Sequence, residues 1–278
     1  MAGNVQNYVP VLTSEAGSCL TSAEWKEAGV SSVSYYLDSL LIKPGVELLK
    51  RIDNLSGYVG WHGTVILNAS RLQANRDGIF NLSSPYDGSK IKFNYSELFT
   101  IINNLKPDAV LLPKKTMLDA PECLNSLDSS IIPYFAVEDL MKKEYQKQHG
   151  VYFNPTDVHA AYEMAEKLQQ WSHLPRYVIH SLDSGAAGIF DNLNVEYVES
   201  DVPAATGFHG RVYSGKDTID LTDVQFNMQF NIIDSNCTCP TCTQQFTQAY
   251  LHHLYLHTPL LCQRFLIQHN AFQAGNSA

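Results

Sequence analysis

Residues 237–270 read CTCPTCTQQFTQAYLHHLYLHTPLLCQRFLIQHN and concentrate four of the six cysteines and four of the ten histidines in one window. Cys237, Cys239 and Cys242 form Cys-x-Cys-x-x-Cys. Three thiolates this close can wrap one zinc ion from a single turn, and the ion then needs a fourth ligand. His252, His253, His257, Cys262 and His269 are the candidates. Three thiolates and an imidazole fill a tetrahedron and leave no position for water, which is the pattern of structural rather than catalytic zinc. The competing readings are a set of buried free cysteines or a local disulfide. Cys19 and Cys123 stand alone, which is no disulfide framework.

Outward from this cluster, strands alternate with helices. Thr64–Leu67, Asp108–Leu112, Ile131–Val137, Tyr177–Ile179 and Val195–Val198 are apolar runs of strand length. Ser22–Gly29 reads as a capped helix ending on glycine, Pro44–Ile52 as a helix opened by proline, and Glu97–Leu105 as an amphipathic helix. Asp157–Trp171 carries a stripe of Val158, Tyr162, Ala165 and Leu168, and Phe246–His257 reads as a helix stopped by Pro259. A β-rich stretch spans Arg211–Ile233. This alternation predicts a parallel sheet, either a barrel or doubly wound. No Gly-x-Gly-x-x-Gly follows a strand and there is no P-loop, so nucleotide binding through those motifs has no support.

The 278 residues suit one large domain, since an α/β barrel uses about 250. Hydrophobic residues make up 45% and charged residues 17%, enough for a sizeable core. The net charge of −9 repels phosphate backbones unless basic residues gather on one face. The N-terminus lacks a basic start before an apolar run, and no run approaches the roughly 20 residues of a membrane span. A soluble, cytoplasmic protein is the expectation, and Asn-x-Ser/Thr at Asn54, Asn68, Asn81, Asn94 and Asn236 is then a chance match.

The cysteines, Ala249-Tyr250-Leu251-His252-His253-Leu254 and His269-Asn270 resemble the zinc segment of the tRNA-guanine transglycosylases. Lys43-Pro44-Gly45, Gly60-Trp61, the Ser84–Lys90 hairpin and Pro175-Arg176-Tyr177 resemble further motifs of that family, in its order. The resemblance implies a (β/α)8 TIM-type barrel over residues 1–278, with a zinc subdomain at about 207–272 and His269 as the fourth ligand. It also implies exchange of guanine in tRNA for a 7-deazaguanine through an aspartate that attacks ribose C1′.

The positions that would carry this chemistry depart from the family. Asn68 stands for the aspartate that acts on the base, and Ser70 and Arg71 stand for two glycines. Lys114 replaces a base-reading aspartate, Glu138 a glutamine, and Ala205 an arginine. Glu199 falls on the nucleophile, with a carboxylate one methylene longer. Misplacing a nucleophile by about 1 Å is worth on the order of 10²-fold in rate. These substitutions predict a catalytically inactive relative, not an enzyme, reused as an interaction subunit of a protein assembly. The alternatives are an altered glycosyl-transfer enzyme using Glu199, on tRNA or another nucleoside, and a non-catalytic partner of a true transglycosylase. The plainer alternative makes these ordinary barrel-mouth residues, among which Glu199 and Lys114 could pair as ions worth little if exposed. Alignment gaps flank Glu138, and only residues 271–278 follow the His-Asn pair, so the outer ring of helices is expected to be incomplete. That would expose apolar strand faces to a protein partner. From Cys237 onward there is Arg264 and no lysine, and Gln248 stands where the family has arginine, which argues against tRNA.

Overall fold

The computed structural model describes residues 7–142, 145–157, 159–163, 169–180, 195–215 and 217–276. Its strands are β1 (Asn7–Val9), β2 (Ser32–Tyr36), β3 (Thr64–Asn68), β4 (Ile79–Ser83), β5 (Lys90–Asn94), β6 (Ala109–Leu111), β7 (Ile132–Ala136), β8 (Gly150–Phe153), β9 (Arg176–Ile179), β10 (Tyr197–Glu199), β11 (Arg211–Ser214) and β12 (Asp217–Asp220). Eight of them form one parallel sheet in the order β1-β10-β9-β8-β7-β6-β3-β2. The two ends of that order meet. Ser34 N donates to Pro10 O at 2.9 Å and Leu12 N to Ser34 O at 2.9 Å, joining β2 to the segment after β1. The strands therefore follow one another in chain order around a nearly closed barrel.

Alternation along the strands separates two apolar layers. Val9, Ile66, Ala109, Leu111, Tyr134, Ala136, Tyr152, Tyr177 and Ile179 fill the interior. Their neighbours Val33, Val65, Leu67, Val110, Phe135, Val151, Phe153 and Val178 face outward into the helix layer. The Tyr95–Leu105 helix covers part of it, opened by an Asn94–Glu97 capping box. Among its described residues, the connection between β7 and β8 carries only the four-residue helix Val137–Leu140, so the outer ring is thin there. Even so, Phe135, Val151, Phe153 and Val178 are at most 1% exposed, which corrects the expectation of bare strand faces. Among the described residues, Tyr145, Trp171 and Leu174 pack onto the same layer.

Other expectations shift locally. The helix expected from Pro44 spans Val46–Leu49 instead and starts after Gly45, whose φ of +99° suits glycine. Val158, Ala165 and Leu168 of the expected stripe lie outside the described residues. Tyr162 is 60% exposed and Ala161 is buried, so the inward face sits one residue earlier. Pro259 does not merely stop the Gln248–His257 helix: it opens the next one, Pro259–Asn276. The Arg211–Ile233 stretch is a hairpin, β11–β12, followed by the 3-10 turn Val224–Met228.

The Pro259–Asn276 helix packs on the Val202–Phe208 helix that follows β10. The crossing is close at Gly207, where an added Cβ would lie 2.6 Å from Ile267 N and 2.8 Å from its Cα. Arg264 pairs with Glu24 of the Ser22–Glu27 helix. Asn270, fully buried, donates to Pro203 O and Arg211 O and accepts from Tyr213 N. The Pro259–Asn276 helix thus ties the cysteine-bearing segment to the barrel, and Tyr255 of the preceding helix adds a bond to Phe208 O. No described helix is long and apolar enough to cross a membrane.

Candidate active site and metal centre

Cys237, Cys239, Cys242 and His269 come together, with all four ligand atoms within 4.8 Å of one another. Their three sulfurs lie 3.6, 3.4 and 3.3 Å from His269 Nδ1. Tetrahedral zinc, with Zn–S of about 2.3 Å and Zn–N of about 2.0 Å, requires sulfur-to-nitrogen separations near 3.5 Å. The cluster fits a metal ion of that kind. His269 Nε2 meets Tyr213 O at 2.8 Å, which fixes the tautomer that turns Nδ1 to the sulfurs. The backbone N–H groups of Cys239 and Cys242 donate to the sulfurs of Cys237 and Cys239. The other candidate ligands lie elsewhere. His252 bonds Leu221 O, His253 bonds Asn227 O, and the Cys262 thiol donates to Leu251 O.

The four barrel positions singled out in the sequence form two separate pairs. Lys114 Nζ lies 2.8 Å from Glu138, and both side chains are about half exposed. Lys114 therefore pairs with Glu138 and not with Glu199, the ordinary ion partner weighed from the sequence: it follows β6 and takes the partner offered by the adjacent β7. Such a pair contributes at most about 1 kcal/mol in solvent.

Asn68 and Glu199 form the second pair, fully buried at the C-terminal ends of β3 and β10. Asn68 Nδ2 donates to both carboxylate oxygens, at 2.9 and 3.1 Å. Tyr36 Oη donates to Oε1 at 2.7 Å and Tyr177 Oη to Oε2 at 2.6 Å. The amide's orientation is set from behind, because Asn68 Oδ1 accepts from Ser70 N at 3.0 Å and Ser70 Oγ at 2.6 Å. The substitutions at 68, 70 and 199 are thus one network. An aspartate at 68 would face the carboxylate of Glu199 with no hydrogen to give. An asparagine gives two. Burial, and then the Glu199 charge, push the Tyr36 and Tyr177 phenols well up, so both stay protonated donors.

Above Glu199 opens a pocket of about 320 Å³, lined by Thr13, Ser14, Tyr36, Arg71, His180, Ser200 and Asp201 among others. It lies beyond the carboxyl ends of the strands, where barrels of this type place their chemistry, and its size suits a small molecule. The Arg71 guanidinium sits over the Tyr36 ring at 3.5 Å. It occupies the space that glycine would leave open. Burial lowers the His180 pKa, which keeps its imidazole neutral near neutral pH. Burial raises the Asp201 pKa, against Ser14 and Arg71, and the Glu199 charge raises it further. The sequence did not point to Tyr36, Tyr177, Ser14 or Asp201. The signal for the tyrosines was present only as polar-tipped aromatics within strands. Asp201 lay two residues past Glu199 with nothing in the motif to mark it.

Residues 192–275 match the family model described as queuine tRNA-ribosyltransferase. Among curated proteins, a queuine tRNA-ribosyltransferase of Clostridium perfringens (strain SM101 / Type A) is 22% identical over 91% of this chain and 80% of its own length. Those of Clostridium kluyveri (strain ATCC 8527) and Thermoanaerobacter pseudethanolicus are 23% and 22% identical, over 92% and 95% of this chain. These relatives are named for an enzyme across nearly the whole chain. The expectation of a chain that is not an enzyme is therefore overturned. It rested on residue-by-residue departures from a motif, against which stands the enzyme name of relatives that span nearly the whole chain.

Proposed function

The chain belongs to the tRNA-guanine transglycosylase (queuine tRNA-ribosyltransferase) family, and on that premise we propose that it catalyses glycosyl transfer with Glu199 as the carboxylate that meets ribose C1′. One observation carries this reading: Glu199 is buried beneath a pocket and held by two phenols and an amide, all neutral. Neutral donors orient a carboxylate without cancelling its charge, which suits a nucleophile held for attack. Glu199 forms a bond to C1′ as the C1′–N bond to the base breaks. The incoming base then displaces the carboxylate, so the bond to ribose is made twice on opposite faces.

We propose a substrate of nucleoside size rather than tRNA. Arg264, the one lysine or arginine from Cys237 to the end, is engaged by Glu24, and the chain carries −9 overall. Phosphate backbones are held by free cations, which this part of the chain does not supply. The Cys3His cluster, on this account, holds one zinc ion in a closed structural site. It fixes the C-terminal helix against β11 and takes no part in the reaction.

The test is incorporation of labelled guanine or a labelled 7-deazaguanine into free nucleosides and, in parallel, into tRNA. Incorporation into the nucleoside pool that disappears in Glu199→Gln is the expected result. Incorporation into tRNA alone would overturn the substrate assignment. No incorporation into any acceptor, or undiminished incorporation by Glu199→Gln, would overturn the role of Glu199.

A further inference from the structure

The Glu199 reaction needs a proton to be handled. The base leaves with an electron pair that must be protonated, and the incoming base must lose a proton. In this chain Asn68 occupies the position where the family's base-handling aspartate was expected, and an amide neither donates an acid proton nor accepts one. Both of its faces are already committed, to Glu199 and to Ser70.

A second carboxyl group lines the same pocket. Asp201 lies two residues beyond Glu199, and its Oδ1 is 2.5 Å from Ser14 Oγ. The hydrogens around Ser14 can be counted. Its oxygen already accepts from Gly17 N at 2.8 Å. It also lies 3.0 Å from Val11 O, which can only accept. Ser14 has a single hydrogen, yet two acceptors compete for it if Asp201 is ionised. A neutral Asp201 resolves the conflict: its O–H donates to Ser14 Oγ, and Ser14 donates onward to Val11 O. Gly17 permits this arrangement, since a Cβ there would lie 1.9 Å from Val11 O. Asp201 also precedes the Val202–Phe208 helix without capping it, so the side chain is not consumed by the helix end.

We infer that Asp201 is the acid–base partner of Glu199, giving its proton to the departing base and recovering one from the incoming base. This rests on the proposed role of Glu199. In the first half, Glu199 Oε bonds to C1′, the C1′–N electron pair goes to the base nitrogen, and the Asp201 hydrogen transfers to the base. In the second, the incoming nitrogen bonds to C1′, the C1′–Oε pair returns to Glu199, and the base N–H proton returns to Asp201. Two carboxyl groups in one pocket thus hold opposite protonation states, a division of labour set by their surroundings. Glu199 is surrounded by donors. Asp201 meets Ser14 and feels the opposed charges of Arg71 and Glu199, and His180 lines the same pocket. Burial pushes its carboxyl up, in keeping with the hydrogen count.

Two measurements on the full-length chain test the inference. The first compares an ordinary purine nucleoside with a nitrophenyl riboside, whose leaving group departs without protonation. Asp201→Asn should slow purine release by about 10²-fold or more while leaving the first-turnover burst of nitrophenol, which precedes the step that returns a proton to Asp201, within a few-fold of wild type. Asp201→Glu should restore part of the purine rate. Equal purine rates in wild type and Asp201→Asn would overturn the inference and leave Glu199 untouched. A wild type inactive on both substrates would overturn the Glu199 reading, and the inference with it. The second measurement needs no turnover. Infrared difference spectra near neutral pH should show the carbonyl stretch of a neutral carboxylic acid that is lost in Asp201→Asn. Its absence from the wild type would overturn the inference.

Discussion

Replacing Asn68 by aspartate probes whether the altered barrel residues act as one network. The change is isosteric and keeps the acceptor that Ser70 uses, but it turns the two donations to Glu199 into a contact between acceptors. The lost hydrogen bonds to a buried charge are together worth about 1.5–3 kcal/mol. If both carboxylates stayed ionised at the observed 2.9 Å, their repulsion would add about 6 kcal/mol at an effective dielectric of 20. The folded variant will escape most of that by taking up one proton shared between the two groups. The unfolded chain does not hold that proton near neutral pH. Proton binding is then greater in the folded state, so stability must fall as pH rises above the ordinary carboxylate range. Urea unfolding of Asn68→Asp at several pH values should show a loss of at least about 2 kcal/mol near neutral pH, shrinking in acid. Adding Glu199→Gln should restore most of it, because the second amide can donate to the new carboxylate. A single variant within about 0.5 kcal/mol of wild type near neutral pH would refute the reasoning, since that is what an unconnected surface site would show.

Three other outcomes follow from the same contacts. Purified, reduced protein should carry about one zinc per chain. Stripping it should destabilise the fold by about 4 kcal/mol relative to zinc at a thousandfold excess over its dissociation constant, read as a drop in melting temperature that Cys242→Ser reproduces. Asp201, with its folded pKa raised, contributes stability that is present below its ordinary value near 3.8 and lost as pH rises through the folded value; Asp201→Asn should flatten that limb of the urea-stability profile. Gly207→Ala forces a Cβ against the backbone of Ile267 and should cost about 1–3 kcal/mol, seen in the same unfolding assay.

The cysteine part of the Cys3His cluster was legible because its information is local. Three cysteines within six residues leave few geometries, whereas spacing left the fourth ligand open among five residues and only the family resemblance pointed to His269, which the structure brings to the sulfurs. The central strands were legible as apolar runs, since a parallel barrel buries both faces of each strand. β1 was not, because three residues carry no periodicity. The four-residue helices of the outer ring were hidden for the same reason. The pocket was only half legible. Position 199 could be found by counting from a motif. What holds it comes from Tyr36, Asn68 and Tyr177, on three other strands, and no spacing rule connects them. Charge alone allows Lys114 to pair with Glu199, because it carries no distance; barrel order gives Lys114 to Glu138. The expectation of inactivity failed in a related way. Each substitution was weighed against the family residue it replaced, whereas Asn68, Ser70 and Glu199 are joined in one hydrogen-bonded network.

The most direct test of the central claim is to quench the protein with denaturant during turnover of a nucleoside and map the adduct by peptide mass spectrometry. The account predicts a ribosyl increment on Glu199 that rises on mixing and is discharged when excess base is added. Base exchange with no increment at Glu199, or an increment on another residue, would contradict it.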